Sequence, residues 1–271
     1  MPKCRNTQFE TEGCVWPFFC DKILIMRQVD NTKIHVGTSG WNYEEFVGKI
    51  YPMDEPIKKY LEIYAGFFES VELNASFYRS FPEKVWEGWY RRTPDGFLWS
   101  VKASRFLTHI KRLDVSRESV ERTWDEVRLL REKLGSVLFQ LPPNLPFEKD
   151  ILVRFLGMQP DDKRIAIEAR HASWHTEEAW RVLTDYNAAW VISDTAGRYP
   201  MSVRITADFS YVRLHGSSGL YEGLYGDERL SEWCRMISQW GIETFVYFDN
   251  TADGSAALDA LSMVKLVRSS Q

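Results

Sequence analysis

Short apolar and β-branched runs alternate with amphipathic stretches of helical period from residue 34 to the end of the chain. The runs predict eight strands, at 34–38, 70–73, 98–102, 137–140, 164–168, 190–193, 211–214 and 244–248. The helical stretches lie between them, at 57–65, 83–92, 119–134, 147–156, 177–185, 229–240 and 255–267. The connection between the sixth and seventh strands is predicted without a helix, because it is short and contains Gly197 and Pro200.

Alternating strands and helices are typical of βα units and a parallel sheet. Eight strands with nearly every crossover helical predict one (β/α)8 TIM-type barrel, which usually takes about 250 residues. An open doubly wound sheet is the alternative, but no Gly-x-Gly-x-x-Gly or Gly-x-x-x-x-Gly-Lys-Ser/Thr sequence follows any strand. We therefore predict a single barrel domain over residues 34–271, preceded by an N-terminal extension over residues 1–33.

The extension carries three of the four cysteines, Cys4, Cys14 and Cys20, in a spacing that matches no familiar zinc or iron–sulfur signature. Free thiols are the simpler interpretation. The apolar stretch within the extension lacks a small-residue cleavage site, and no run reaches the roughly 20 apolar residues of a membrane helix. These features favour a cytoplasmic protein with no membrane partner, and they leave its oligomeric state open.

The charge balance bears on the expected partners. The chain has 34 basic and 38 acidic residues and a net charge of −4, which argues against nucleic acid as a partner. Its 11 tryptophans suit either a cleft that stacks on a ligand or the filling of a core. The expected partner is therefore a small molecule.

In a (β/α)8 barrel the chemistry lies where strands end and the following loops begin. Polar and aromatic residues stand at almost all of these positions. The candidate ligand-binding residues are Ser39, Trp41, Tyr43, Asn74, Tyr78, Lys102, Gln140, Arg170, Trp174, Asp194, Arg213 and Asn250. Burying so many polar and ionisable groups lowers stability unless they pair or take part in chemistry. Their coincidence at successive strand ends predicts a polar cleft.

Several segments resemble the DUF72 (YecE-like) family. The residues that carry the resemblance are Gly37-Thr38-Ser39-Gly40-Trp41, Val71-Glu72-Leu73-Asn74-Ala75-Ser76-Phe77-Tyr78, Lys102-Ala103, Leu107-Thr108-His109, Glu168-Ala169-Arg170-His171-Ala172-Ser173-Trp174, Arg213-Leu214-His215-Gly216 and Tyr247-Phe248-Asp249-Asn250. The resemblance implies a TIM-barrel fold and no particular activity. The chain departs from the family pattern at Asp249, where two successive asparagines are usual, and in its cysteine-bearing extension.

One hypothesis is an enzyme that acts on a small polar substrate, anionic or sugar-like, by acid/base chemistry. Lys102, Arg170 and Arg213 would hold the anion, since arginine binds carboxylate or phosphate through two parallel hydrogen bonds. The catalytic candidates are Glu72 or Glu168 as the general base and His215 as the group that transfers the proton. This hypothesis requires no cofactor.

Three alternatives remain open. A divalent-metal-dependent isomerase or hydrolase would use Glu168, Asp194, His215 and Asp249 as ligands. Glycoside hydrolysis would need two carboxyl groups on either side of a sugar, for which Glu72 and Glu168 are candidates. The third alternative is not an enzyme: the chain would bind a small anion without altering it.

Overall fold

Eight parallel strands stand side by side in the computed structural model, which describes residues 33–269. They are β1 (Ile34–Thr38), β2 (Ser70–Leu73), β3 (Leu98–Lys102), β4 (Leu134–Gln140), β5 (Ile165–Glu168), β6 (Ala189–Asp194), β7 (Phe209–Leu214) and β8 (Glu243–Phe248). From β2 to β8 each strand pairs with the next in sequence, and β1 pairs with β8. The predicted TIM-type barrel is confirmed. Except for Lys33, the predicted extension and its cysteines Cys4, Cys14 and Cys20 lie outside the described residues.

Helices follow most of the strands. They are α1 (Tyr60–Phe67), α2 (Glu83–Arg92), α3 (Arg117–Val127), α4 (Lys149–Leu156), α5 (Glu177–Asp185), α6 (Gly226–Trp240) and α7 (Ser255–Ser269). As predicted, no helix forms between β6 and β7. The helix predicted to reach residue 134 ends at Val127 instead, because tight 3-10 turns and a residue of positive φ, Arg131, lead into an earlier start of β4.

The barrel is nearly closed between β1 and β2, which meet through a bridge between Ser39 and Glu72. Gly37 permits this approach, because a Cβ atom there would lie 2.1 Å from the Ser70 carbonyl oxygen. The same carbonyl accepts a hydrogen bond from Tyr64 Oη at 3.1 Å. The carboxyl ends of β1 and β2 are therefore held close together.

Side chains alternate between the two faces of each strand, and this places the site. In β3, Trp99 and Val101 face outward and pack in the large core beneath the helices. Leu98 faces inward and packs against the apolar cluster that fills the barrel, and Ser100 Oγ accepts a hydrogen bond from Tyr247 Oη at 2.8 Å. Lys102, the last residue of β3, continues the inward series and lies at the barrel mouth.

None of the helices between residues 33 and 269 has the length and apolar character needed to cross a membrane.

Candidate functional site

Arg213 lies at the centre of the barrel mouth and is 1% exposed. It is the inward residue that follows Tyr211 on β7. Its guanidinium binds the Glu72 carboxylate in bidentate fashion, with Nε 3.0 Å from Oε2 and Nη2 2.8 Å from Oε1. Bidentate pairs of this kind are the strong charge-assisted hydrogen bonds of protein interiors.

The remaining donors of Arg213 are also used. Nη1 donates to Glu168 Oε2 at 2.7 Å, and Nη2 donates to Asp249 Oδ2 at 3.0 Å and to Ser39 Oγ at 3.1 Å. Nη1 also lies 3.4 Å from His215 Nε2 as a hydrogen-bond partner. Arg213 therefore binds three carboxylates and has no donor left for a ligand. We call this cluster the Arg213 network; its members are Arg213, Glu72, Glu168, Asp249, Ser39, Tyr211 and His215.

Glu72 is fully enclosed by its partners. Ser39 Oγ donates to Oε1 at 2.5 Å and Tyr211 Oη donates to Oε2 at 2.6 Å. Asn74 Nδ2 in turn donates to Ser39 Oγ at 2.5 Å. Because both oxygens of Glu72 accept hydrogen bonds from two donors, the carboxylate is poorly placed to take a proton from a ligand.

Charge pairing in the network outweighs burial. Burial alone would raise the pKa of Glu168, but Arg170, Arg213 and His215 hold it well below its usual range. Asp249 shows the same balance, since burial acts to raise its pKa while Arg213 and then His215 lower it to about 2. Burial would lower the pKa of Arg213, and its carboxylate partners raise it well above the usual value. Glu168, Asp249 and Arg213 are therefore charged at neutral pH.

His215 occupies the edge of the network and is fully buried. Its Nδ1 lies 2.9 Å from Asp249 Oδ2, an ion-pair distance that lacks hydrogen-bond alignment, and its Nε2 lies 3.8 Å from Glu168 Oε1. Gly216 follows at φ 131°, a backbone conformation that glycine adopts freely, and the loop returns to place Tyr221 against the His215 ring. His215 is thus covered by its own loop.

Lys102 lies at the same mouth in different surroundings. It is partly buried, and its Nζ sits 4.6 Å from the centre of the Phe77 ring. Within residues 33–269, this nitrogen takes part in no hydrogen bond and no ion pair. Burial, followed by the charge of Arg213, lowers the pKa of Lys102 to about 8, although Glu168 acts in the opposite direction.

His109 contacts the same aromatic ring from another side. It lies in a short π-helix, Phe106–Ile110, that no periodicity in the sequence predicted, and its ring meets Phe77 edge-on at 4.9 Å. Burial, and then the charge of Lys102, lowers the pKa of His109. Neutral imidazole is therefore favoured beside the amine.

Arg170 is the second basic group on this side, and its side chain is 10% exposed. Its Nε donates to Glu168 Oε1 at 2.9 Å, and Glu168 is its one carboxylate partner within residues 33–269. The guanidinium also stacks on Tyr199 at 5.0 Å. Tyr221 is a further side-chain hydrogen-bond partner of Arg170. Because a guanidinium carries five N–H donors, Nη hydrogens still remain as candidate donors to an anion. We call Lys102, Phe77, His109 and Arg170 the Lys102 site.

Other predicted ligand-binding residues border the site. Gln140 is buried and donates through Nε2 to the Leu141 carbonyl at 2.6 Å. Tyr43 Oη donates to the Ser39 carbonyl at 2.7 Å, and burial, followed by Asp249, raises its pKa to about 12. Trp41 packs edge-on against tryptophans of α2 and β3 and lines a cleft of about 670 Å³ between the β1 and β2 loops.

Four predicted residues do not join either cluster. Trp174 is buried in the outer core, where Nε1 donates to the Leu145 carbonyl at 2.9 Å. Asp194 faces outward from β6 and pairs with Arg229 of α6 at 3.1 Å. Asn250 donates to Asp259 Oδ2 at 2.8 Å and so supports α7. Tyr78 is 71% exposed.

Three of the four residues considered as metal ligands, Glu168, Asp249 and His215, lie close together, and Asp194 lies apart from them. Asp194 points away from the mouth, and Glu168 and Asp249 are both bonded to Arg213. In the described part of the chain, no group of three His, Cys, Asp or Glu side chains could hold a metal ion. The donor set therefore does not fit a divalent cation.

Two residues of the site escaped the sequence reasoning. Tyr211 could have been found from strand alternation, since it lies two positions before Arg213 on β7 and so shares its inward face. Phe77 was visible as an aromatic residue after β2, but its contacts with Lys102 and His109 depend on how two separate loops meet.

Comparison with known proteins shows the family of the chain and agrees with the barrel fold. The model of the family described as "Protein of unknown function DUF72" matches residues 35–271. The chain belongs to the DUF72 family. It is 28% identical over 269 residues to UPF0759 protein YunF of Bacillus subtilis strain 168, covering 86% of this chain and 94% of that protein.

Two solved structures extend the comparison. A DUF72 family protein from Thermotoga maritima matches with a TM-score of 0.79 and 27% identity, covering 87% of this chain and 99% of that one. A DUF72 family protein from Enterococcus faecalis matches with a TM-score of 0.75 and 20% identity, covering 87% of this chain and 95% of that one; this supports the fold alone.

Proposed function

We propose that this DUF72 protein is an enzyme that acts on a small anionic substrate by acid/base chemistry, with Lys102 as the group that exchanges the proton. The observation that carries the proposal is the Lys102 amine itself, which faces the barrel mouth without a carboxylate partner in the described residues. A partly buried amine that no carboxylate contacts directly costs stability, and such groups are characteristic of sites where a pKa is adjusted for chemistry.

The roles within the proposal follow from which groups are free. Arg170 has Nη donors for a carboxylate or phosphate, whereas every donor of Arg213 is occupied. Glu72 and Glu168 are bonded to Arg213, so we assign them to the support of the site and not to general base catalysis. A lysine with a pKa of about 8 exchanges protons readily near neutral pH.

The same pairing weighs against glycoside hydrolysis. That reaction needs one protonated carboxyl group and one free carboxylate. Glu168 has a pKa held well below its usual range, and both oxygens of Glu72 are bonded to Arg213. Neither residue is suited to the acid role.

The test is a thermal-shift screen with pyruvate, inorganic phosphate and ribose 5-phosphate, followed by mass spectrometry of each compound that stabilises the protein. We expect Arg170→Gln to weaken binding of the best anion by roughly ten- to hundredfold, the worth of a hydrogen bond to a charged group. Arg229→Gln is the matched control, because it removes an arginine–carboxylate pair outside the mouth.

Two results would separate the alternatives. Recovery of a chemically altered compound, with turnover lost in Lys102→Met, supports the enzyme. Binding that depends on Arg170 but leaves every compound unaltered favours the protein that only binds an anion. Equal binding by Arg170→Gln and wild-type protein would contradict the proposed site.

A further inference from the structure

The Lys102 site differs from an ordinary ion-pair site in that its amine meets an aromatic ring on one side and no acceptor on the other. The Phe77 ring lies 4.6 Å from Nζ, and the alternation along β3 directs the side chain into the mouth. Lys102 as a residue is partly exposed. An amine in this position can act as a nucleophile as well as a base.

We propose that Lys102 forms an imine with the carbonyl carbon of a small substrate whose carboxylate or phosphate is held by Arg170. This rests on the proposed function and names its substrate class as anionic aldehydes and ketones. In the step, the neutral Nζ adds to the carbonyl carbon, the carbonyl oxygen leaves as water, and a C=N bond replaces the C=O bond.

The neighbours of Lys102 supply the proton movements that this step needs. Formation of the neutral imine removes two protons from nitrogen, and the carbonyl oxygen takes up two protons before it departs as water. His109 contacts the same ring as Lys102, and its Nδ1 is engaged by Thr108 Oγ1 at 2.9 Å, so Nε2 is the nitrogen available for transfer. We assign His109 to carry these protons.

The backbone around His109 is unusual in a way that agrees with a functional role. The π-helix Phe106–Ile110 is followed by Arg112 and Leu113 at φ 53° and 68°, two successive non-glycine residues in the left-handed region. π-Helical turns and strained backbone of this kind occur frequently at functional sites. This arrangement fixes His109 against Phe77.

The anion subsite follows from the charges on the same side of the mouth. Arg170 is close enough to lower the pKa of His109, and it keeps its Nη groups available while Nε holds Glu168. A carbonyl compound with an adjacent carboxylate would place its anion at Arg170 and its carbonyl carbon toward Lys102. A neutral carbonyl compound would lack the first contact.

Reductive trapping tests the proposal. The protein is incubated with pyruvate and cyanoborohydride at pH 7, digested, and analysed by peptide mass spectrometry. Hydride adds to the imine carbon and the nitrogen takes a proton from water, so the modified lysine gains the mass of pyruvate less one oxygen atom. Acetone, which has the carbonyl group without the carboxylate, is the matched probe.

The expected result is modification at Lys102 at a rate at least about tenfold above that of Lys111, since about 10% of an amine with a pKa of about 8 is neutral at pH 7. Lys111 is the internal control, because it is exposed and also lies over an aromatic ring, that of Phe106. We expect acetone to react at least about tenfold more slowly than pyruvate, and Arg170→Gln to remove this preference.

Two variants keep the test informative. Lys102→Arg retains the charge without a nucleophilic amine and should abolish labelling at this position with an unchanged melting temperature. His109→Gln should slow the labelling of Lys102. Labelling of Lys111 at a rate equal to that of Lys102 would overturn the proposal that Lys102 forms an imine. Turnover that requires Lys102 without any trapping at Lys102 would also overturn it, while leaving the proposed acid/base function intact.

Discussion

Arg213 and Lys102 are both basic side chains on the inward face of strand ends, yet their surroundings differ. Arg213 is enclosed by Glu72, Glu168 and Asp249, with a partner for every donor. Lys102 faces an aromatic ring and has no hydrogen-bond or ion-pair partner within residues 33–269. The comparison teaches that strand-end charges in one barrel differ in pairing, since Arg213 is neutralised by carboxylates and Lys102 keeps the unpaired amine that we propose for chemistry.

The largest expected difference is in folding stability. Arg213→Met leaves three carboxylates in the mouth without their counter-ion and should lower the free energy of unfolding by about 3–5 kcal/mol. Lys102→Met removes a partly buried charge with no partner and should leave that free energy unchanged or raise it. Urea unfolding followed by circular dichroism measures both. If the two variants lost stability to the same extent, the comparison would fail.

Acid should weaken the Arg213 network, because protonation of Glu168 and Asp249 removes the charges that pair with Arg213. The pKa values of Glu168 and Asp249 lie below those of ordinary carboxyl groups, so their stabilising contribution is complete above pH of about 4.5 and is lost as the pH falls toward about 2. Unfolding measured across this range should show stability falling with pH, by up to about 1.4 kcal/mol per pH unit for each carboxylate. Asp249→Asn should flatten the curve; a curve as steep as that of the wild type would exclude Asp249 as a contributor.

A second lysine sharpens the contrast. Lys133 is 3% exposed, and its Nζ donates to the carbonyl oxygens of Tyr90 at 2.7 Å and Thr93 at 2.6 Å. Lys133→Met leaves these carbonyls without their donor and should lower the free energy of unfolding by about 1–3 kcal/mol, unlike Lys102→Met. The same urea titration measures this variant. A Lys133→Met protein as stable as the wild type would show that a lysine whose amine is hydrogen-bonded adds no more stability than one whose amine is unpaired.

Strand and helix periodicity was sufficient to predict the barrel, because burial on both faces of a parallel strand leaves short apolar runs that the sequence shows directly. The bounds of β1, β2 and β3 are those that the sequence predicted, and β4, β5, β7 and β8 end at the predicted residue. The start of β4 was missed, because the positive φ at Arg131 that ends the preceding helical segment has no signal in periodicity.

The site was only partly predictable. Asp194 and Asn250 stand at strand ends but one position out of the inward register, so their side chains turn to α6 and to Asp259. Strand parity could have separated these two residues from Ser193 and Asp249. The roles of Arg213 and Lys102 were not separable in this way, since both have inward parity and only the three-dimensional pairing shows which one is neutralised.

A titration of Lys102 itself is the most direct test of whether the barrel mouth keeps a reactive amine. Trace acetylation at a series of pH values, with each lysine read by peptide mass spectrometry, reports the pKa of individual amines. We expect Lys102 to titrate with a pKa of about 8, lowered by burial and by Arg213. A value near 10.4, that of an unperturbed lysine, would contradict the claim that the barrel mouth keeps a reactive amine beside its ion-pair network.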